Sequence, residues 1–265
     1  MIHPTLQEFE RIAKPGTLVP VHRDIVADLE TPVSAYMKLS KGQQYSFLLE
    51  SVEKADTIGR YSFLGANPSI VFKSKGKSVT ITRDGKESKF ESDDPLGALK
   101  KLMAEFKPVS IEGVPEFHGG AVGYMNNFLK IVSNVQVGGD VAAAYNDAAR
   151  KIDSIIATIK QPLTVPETKA VAPKNTEVKS NFTKDGFCDA VRKAKEYISA
   201  GDIFQVVLSQ RFEREVSTSP VDLYRALRCI NPSPYMVLLQ YPDVTLVGSS
   251  PEVMTQVRNG RCMLR

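Results

Sequence analysis

The chain has no tryptophan, three cysteines and a net charge of only +4 over 265 residues. Each shortage removes a class of function. Cys188, Cys229 and Cys262 share no metal-ligand spacing, and an odd count does not build a disulfide framework, so a reducing cytoplasm is the expected compartment. The small positive charge is dispersed and no basic run is interleaved with aromatic residues, which excludes a nucleic-acid groove. No apolar run approaches the roughly 20 residues that span a bilayer. The opening MIHPTLQEF lacks the charged and apolar regions of a signal peptide. No membrane association and no nucleic-acid partner are therefore expected, and no repeat of fixed period is visible. What remains is ordinary: 42% apolar and 24% charged residues, enough for one large domain or two.

Taken in order, Leu6, Phe9 and Ile12 recur at helical spacing until Pro15-Gly16, and residues 17–25 alternate as a strand. Thr31-Pro32 is an N-cap with proline at the first helical position, predicting a helix to Leu39 that buries Val33, Tyr36 and Met37. Strands are expected over 45–52 and 60–64, then a meander over 70–72, 79–82 and 86–90 turned at Asp84-Gly85. Asp94-Pro95 starts a helix with Leu96, Leu99, Leu102, Met103 and Phe106 inward. After the glycine-rich strand start at Gly119-Gly120 the chain turns abruptly through Met125-Asn126-Asn127 into a strand over 128–137. Asp140 caps a long helix striped with Val141, Tyr145, Ala148, Ile152, Ile155 and Ile159, too short for a coiled coil and therefore a docked face. The helices and antiparallel strand signals together give an α+β fold class.

Residues 161–180 are polar, proline-bearing and without period, which predicts a linker between an N-terminal α+β domain, 1–160, and a second domain, 181–265. The second part opens with a helix capped by Thr183, with Phe187, Val191, Ala194 and Ile198 facing in. A strand over 203–212 and a helix from Ser219-Pro220 through Leu223, Tyr224, Leu227 and Ile230 follow. The helix delivers the chain to the stretch 231–252, NPSPYMVLLQYPDVTLVGSSPE. Pro232 and Pro234 bar helix and central strand there, two apolar strands follow, and Glu252 stands just past the second. Asn259-Gly260 then signals a hairpin. A rigid corner, two core strands and an acid at a strand end suit a ligand site without naming the ligand.

The runs FLLES (47–51), GRYSFLG (59–65), GDIFQVVLSQRF (201–212), NPSPYM (231–236) and GSSPE (248–252) resemble the large, synthase subunits of anthranilate synthase, in order and across most of the chain. The resemblance implies the chorismate-utilising fold, with two facing sheets and helices outside. It also implies conversion of chorismate and ammonia to anthranilate and pyruvate with Mg2+. The ammonia would come from a glutamine amidotransferase partner, and L-tryptophan would inhibit by feedback. Members of the family carry a further segment holding the magnesium carboxylates, which places the Mg2+ ligands beyond Arg265. They also carry more chain between the strand at Tyr124 and the one starting at Phe128. The expectation is an incomplete synthase subunit, internally shortened near Met125, poorly soluble and inactive alone.

The resemblance carries over residue by residue. Glu252 matches the acid that protonates the departing C4 hydroxyl of chorismate, a task that asks for a carboxyl kept protonated by poor solvation. On sequence alone a helix-start glutamate beside Pro251 is the simpler reading. Gln205 matches a position where water-using relatives carry a lysine base; a neutral amide suits a pre-formed ammonia nucleophile, the alternative being a polar residue on an exposed strand face. Glu50, Ser51, Asn231, Pro232, Pro234, Tyr235 and Met236 match the tryptophan site, with Glu50 and Ser51 for the polar end and Pro234 and Met236 lining an indole slot. The other reading has Glu50-Ser51 end a strand and the prolines turn the chain. Arg60 is a candidate to close the site. Two further functions fit the same residues: 4-amino-4-deoxychorismate synthase, and a tryptophan-binding remnant without catalysis.

Overall fold

The computed structural model describes residues 1–51, 61–115, 117, 122–125, 128–165, 177–258 and 260–264. Arg60, Gly119, Gly120, Asn126, Asn127, Asn259, Arg265 and the linker residues 166–176 lie outside them. The chain divides into two compact units, one of residues 1–164 together with 220–265, the other of residues 165–219. The chain thus returns to the first unit after Ser219.

In the first unit, α1 (Leu6–Ile12) starts in a capping box: the Glu8 amide donates to the Thr5 hydroxyl and the Thr5 amide to the Glu8 carboxylate. β1 (Thr17–Val26) follows, then α2 (Pro32–Ser40), capped by Thr31 with Pro32 inside its first turn. β2 (Ser46–Glu50), β3 (Ser62–Ala66), β4 (Ile70–Lys75), β5 (Ser78–Arg83) and β6 (Lys86–Glu91) come next. α3 (Pro95–Ala104), capped by Asp94, leads to β7 (Lys107–Pro108), β8 (Val122–Met125), β9 (Phe128–Gln136) and α4 (Val141–Ile159), capped by Asp140.

β4, β5 and β6 form the expected three-stranded meander. α3 is helical as predicted, but its apolar positions do not all face in: Leu102 is buried, whereas Leu96 and Met103 are 77% and 60% exposed. The five expected positions do share one stripe, about 120° wide at 3.6 residues per turn, but only its Leu102 edge is buried. The inward face instead runs through Ala98 and Leu102, which line a cleft with Ile81 and Phe90. The α4 stripe docks as expected, burying Tyr145, Ala148, Ile152, Ile156 and Ile159 against β1 and β9, with Ile156 rather than Ile155 fully inside.

The second unit holds β10 (Lys179–Ser180), α5 (Lys184–Ala200) and β11 (Phe212–Glu213). Thr183 caps α5, and Gly201, at φ +83°, ends it in the left-handed conformation that glycine adopts without steric cost. Two expectations fail here. No residue of α5 is buried, and Val191 and Ile198 are exposed; so small a unit has little chain with which to cover a helical stripe. Residues 203–211 form no strand. Their apolar residues fall on both alternating faces, a pattern that needs layers on both sides and neighbours at both edges. Among the described residues of the unit, only Phe212–Glu213 finds a strand partner, Lys179–Ser180.

Back in the first unit, α6 (Pro220–Ile230) leads to β12 (Tyr235–Gln240), β13 (Thr245–Ser250) and the predicted hairpin of β14 (Thr255–Arg258) and β15 (Arg261–Leu264). β12 and β13 join the N-terminal strands in one eight-stranded sheet, ordered β13-β12-β2-β3-β8-β9-β1-β7 and antiparallel except at β1–β7. Register aligns Val247, Leu238, Leu48 and Leu64 in one row across four strands. α2 packs on β2 and β3, and α6 on β12 and β13. The row on one side of this apolar line holds Ser46 and Gln240, where the Tyr36 hydroxyl of α2 lies 2.8 Å from Ser46 Oγ. The row on the other side holds Glu50, Met236 and Ser249.

Candidate ligand site at the Glu50–Met236 row

Glu50 and Met236 are directly opposed on β2 and β12, although 186 positions separate them in the chain (236 − 50). Opposed residues of an antiparallel pair share a face, so the Glu-Ser motif and the proline corner meet at one point of the sheet. Both side chains are covered: Met236 is 0% exposed and the Glu50 side chain 2%. α6 does the covering. The buried Tyr224 hydroxyl donates to Glu50 Oε2 at 2.5 Å. One helical turn later, Arg228 Nη2 donates to Glu50 Oε1 at 3.4 Å, and Arg228 Nε lies 3.2 Å from Oε2. That last contact is charge without direction, because Nε is buried with no hydrogen-bond partner. Burial, then the negative charge of Glu50 and the hydrogen bond to it, raises the Tyr224 pKa far above the ordinary phenol value.

The corner is tied to the same row. The Asn231 amide closes α6 on the Leu227 carbonyl at 2.8 Å, and its own carbonyl accepts from Ser249 Oγ at 2.7 Å. Ser233 is buried and its hydroxyl accepts from the Tyr235 amide at 3.3 Å. Asn231 and Pro232 are exposed and Pro234 half-buried. Pleating places Tyr235, half-buried, on the face opposite Met236. Pleating would likewise separate Ser51 from Glu50, but Ser51 stands just past the last residue of β2, where the ladder no longer fixes it. Its hydroxyl is buried and, among the described residues, has no partner.

Sequence reasoning missed Tyr224, Arg228, Ser233 and Ser249. Tyr224 and Arg228 lie four apart on a helix, the spacing that puts two side chains on one face. Tyr224 stands among the apolar positions Leu223, Leu227 and Ile230 of the predicted helix, but nothing local shows that its hydroxyl and the guanidinium meet a carboxylate 174 residues away.

The two expected catalytic residues lie elsewhere. Glu252 is exposed, two residues after the end of β13. Gln205 is exposed on irregular chain of the second unit rather than on a strand face. Among the described residues no three His, Cys, Asp or Glu side chains converge so as to hold a metal ion, so these residues do not fit a magnesium site. Among them, too, no helix is long and apolar enough to cross a membrane.

Comparison with known proteins gives these positions a context. The chain is 35% identical to anthranilate synthase component 1 of Acetivibrio thermocellus, a match covering 98% of this chain and 61% of that protein. It is 34% identical to the component 1 of Synechocystis sp., covering 97% and 60%. The chain thus spans about 60% of the length of the curated relatives it matches. The first alignment runs over 304 positions against a chain of 265, so that relative carries residues with no counterpart here. Among solved structures, anthranilate synthase component I from Streptococcus pneumoniae TIGR4 superposes with a TM-score of 0.52 at 24% identity, covering 76% of this chain and 52% of that one. That likeness shows the fold, α+β with largely antiparallel sheets. Residues 131–265, just over half of the sequence, match the model of the chorismate binding enzymes, and the chain belongs to that family.

Proposed function

We propose that this chain is part of the synthase subunit of a cytoplasmic anthranilate synthase, which converts chorismate and ammonia to anthranilate and pyruvate, and that the Glu50–Met236 row is its L-tryptophan site. Membership of the chorismate binding enzymes supports the substrate, and relatives called component 1 support a second component. On the family pattern that component is a glutamine amidotransferase supplying ammonia. Glu252 is the acid for the departing C4 hydroxyl, and Gln205, a neutral amide, leaves the incoming ammonia as the nucleophile. The family chemistry uses Mg2+; no step assigned to residues here passes through it.

The observation that carries the regulatory reading is the register that sets Met236 against Glu50. An amino acid needs an acceptor for its ammonium, donors for its carboxylate and an apolar wall for its side chain. Glu50 supplies the first and the unpartnered Ser51 hydroxyl the second. Pro234 and Met236 supply the wall. Because the chain contains no tryptophan, L-tryptophan can be titrated through its own fluorescence. Saturable binding that Glu50→Ala abolishes is the expected result; no binding to folded wild-type protein refutes the assignment.

A further inference from the structure

Resting on the amino-acid site proposed above, we infer that Arg228 is the resident counter-ion of Glu50, that a ligand ammonium binds by taking its place, and that Tyr224 stays behind as the positioning residue that fixes the carboxylate. The two groups on α6 hold Glu50 in different ways. Tyr224 is 0% exposed and makes one short bond, 2.5 Å, from a ring locked in the core. It cannot leave without opening the core. Arg228 has a side chain 38% exposed and reaches the carboxylate only at 3.2 and 3.4 Å. It lacks the two parallel short bonds of a forked guanidinium–carboxylate pair, and its Nε stays unpartnered.

A carboxylate has about four acceptor positions. Tyr224 fills one of them well, and Arg228 neutralises the charge without saturating the rest. The arrangement explains how a carboxylate can be buried before any ligand arrives: without a counter-ion its desolvation would be strongly destabilising. An ammonium, with three donors on a compact centre, satisfies the remaining acceptor positions better than a guanidinium held at arm's length. Arg228, with its side chain 38% exposed, can swing to water once an incoming ammonium takes over the compensation of the buried carboxylate. Selection for a cationic ligand group follows, because only a cation offsets the loss of the resident one.

The test uses two indole probes, whose own fluorescence is unobscured in a chain without tryptophan. Tryptamine carries the ammonium and no carboxylate; indole-3-propionate carries the carboxylate and no ammonium. Arg228→Gln is expected to bind tryptamine at least about fivefold tighter, equivalent to ~1 kcal/mol of removed competition, with no gain for indole-3-propionate. Arg228→Lys keeps the cation and is expected to stay near wild type, and Tyr224→Phe is expected to weaken tryptamine. Unchanged or weaker tryptamine binding by Arg228→Gln overturns the exchange, as does an equal gain for both probes, which is a general loosening of the structure. Undiminished tryptamine binding by Tyr224→Phe overturns the positioning role. L-Tryptophan on the wild-type chain is the separating arm: if it binds while the variants fail these expectations, the exchange is wrong and the site stands. If neither it nor any probe binds, both fall.

Discussion

Replacing Tyr224 by phenylalanine removes one oxygen from the centre of the account and little else. The ring is 0% exposed, and phenylalanine keeps its packing. What disappears is a donor 2.5 Å from a carboxylate whose side chain is 2% exposed. Hydrogen bonds to buried charged groups contribute about 1.5–3 kcal/mol. Arg228 remains near both carboxylate oxygens and offsets part of the loss, so about 2 kcal/mol is the expected destabilisation. For a unit of this size that is a fall in Tm of about 4–8 °C. Urea unfolding at neutral pH, run as a double-mutant cycle with Glu50→Leu, isolates the pair. In the Glu50→Leu background the Tyr224 hydroxyl is already without its acceptor, so removing it is expected to cost nothing or to stabilise. An equal loss in both backgrounds refutes the claim that this bond holds the row together.

Three further outcomes follow. His22 is buried with Nδ1 unpartnered among the described residues, and burial, then the charge of Lys130, lowers its pKa from 6.5 to about 4. The unfolded chain takes up the proton first as pH falls, so this contribution is complete above about pH 6.5 and is lost toward about pH 4, roughly 3 kcal/mol in all. Urea titrations across that range are expected to show a shallower slope for His22→Leu than for wild type; parallel slopes contradict the assignment. Leu48→Ala empties the centre of the four-strand row, where Leu48 is 0% exposed, and is expected to cost about 3–5 kcal/mol by denaturant unfolding. Ser249→Ala frees the Asn231 carbonyl from the sheet and is expected to cost about 1 kcal/mol while weakening L-tryptophan binding; unaltered affinity shows that the corner is held by other contacts.

Much of this fold was legible because its signals are local. Thr31, Asp94, Asp140 and Thr183 each accept from the backbone amide three residues on, and each marked a helix start from sequence alone. The meander and the terminal hairpin were readable from alternation and turn residues. What escaped depends on distant partners. The run 203–212 has strand composition, yet strand structure needs a neighbouring ladder, which among the described residues of its unit is present only at Phe212–Glu213. Leu96 and Met103 fit a helical period and still face outward, since period does not say which stripe meets the core. At the site, resemblance brought Glu50 and Met236 together before geometry did. Tyr224 and Arg228, which hold the carboxylate at that point, carry no motif, and only the packing of α6 on β12 and β13 reveals them.

The central claim is that the Glu-Ser motif and the proline corner form a single amino-acid site, and methyl NMR tests it most directly. The chain has seven methionines, and Met236 alone is opposed to Glu50. With methyl-labelled methionine, L-tryptophan is expected to shift the Met236 resonance and to give contacts from its methyl group to indole protons. A saturating ligand that leaves Met236 untouched, while shifting a methionine remote from the row such as Met103, would contradict the account.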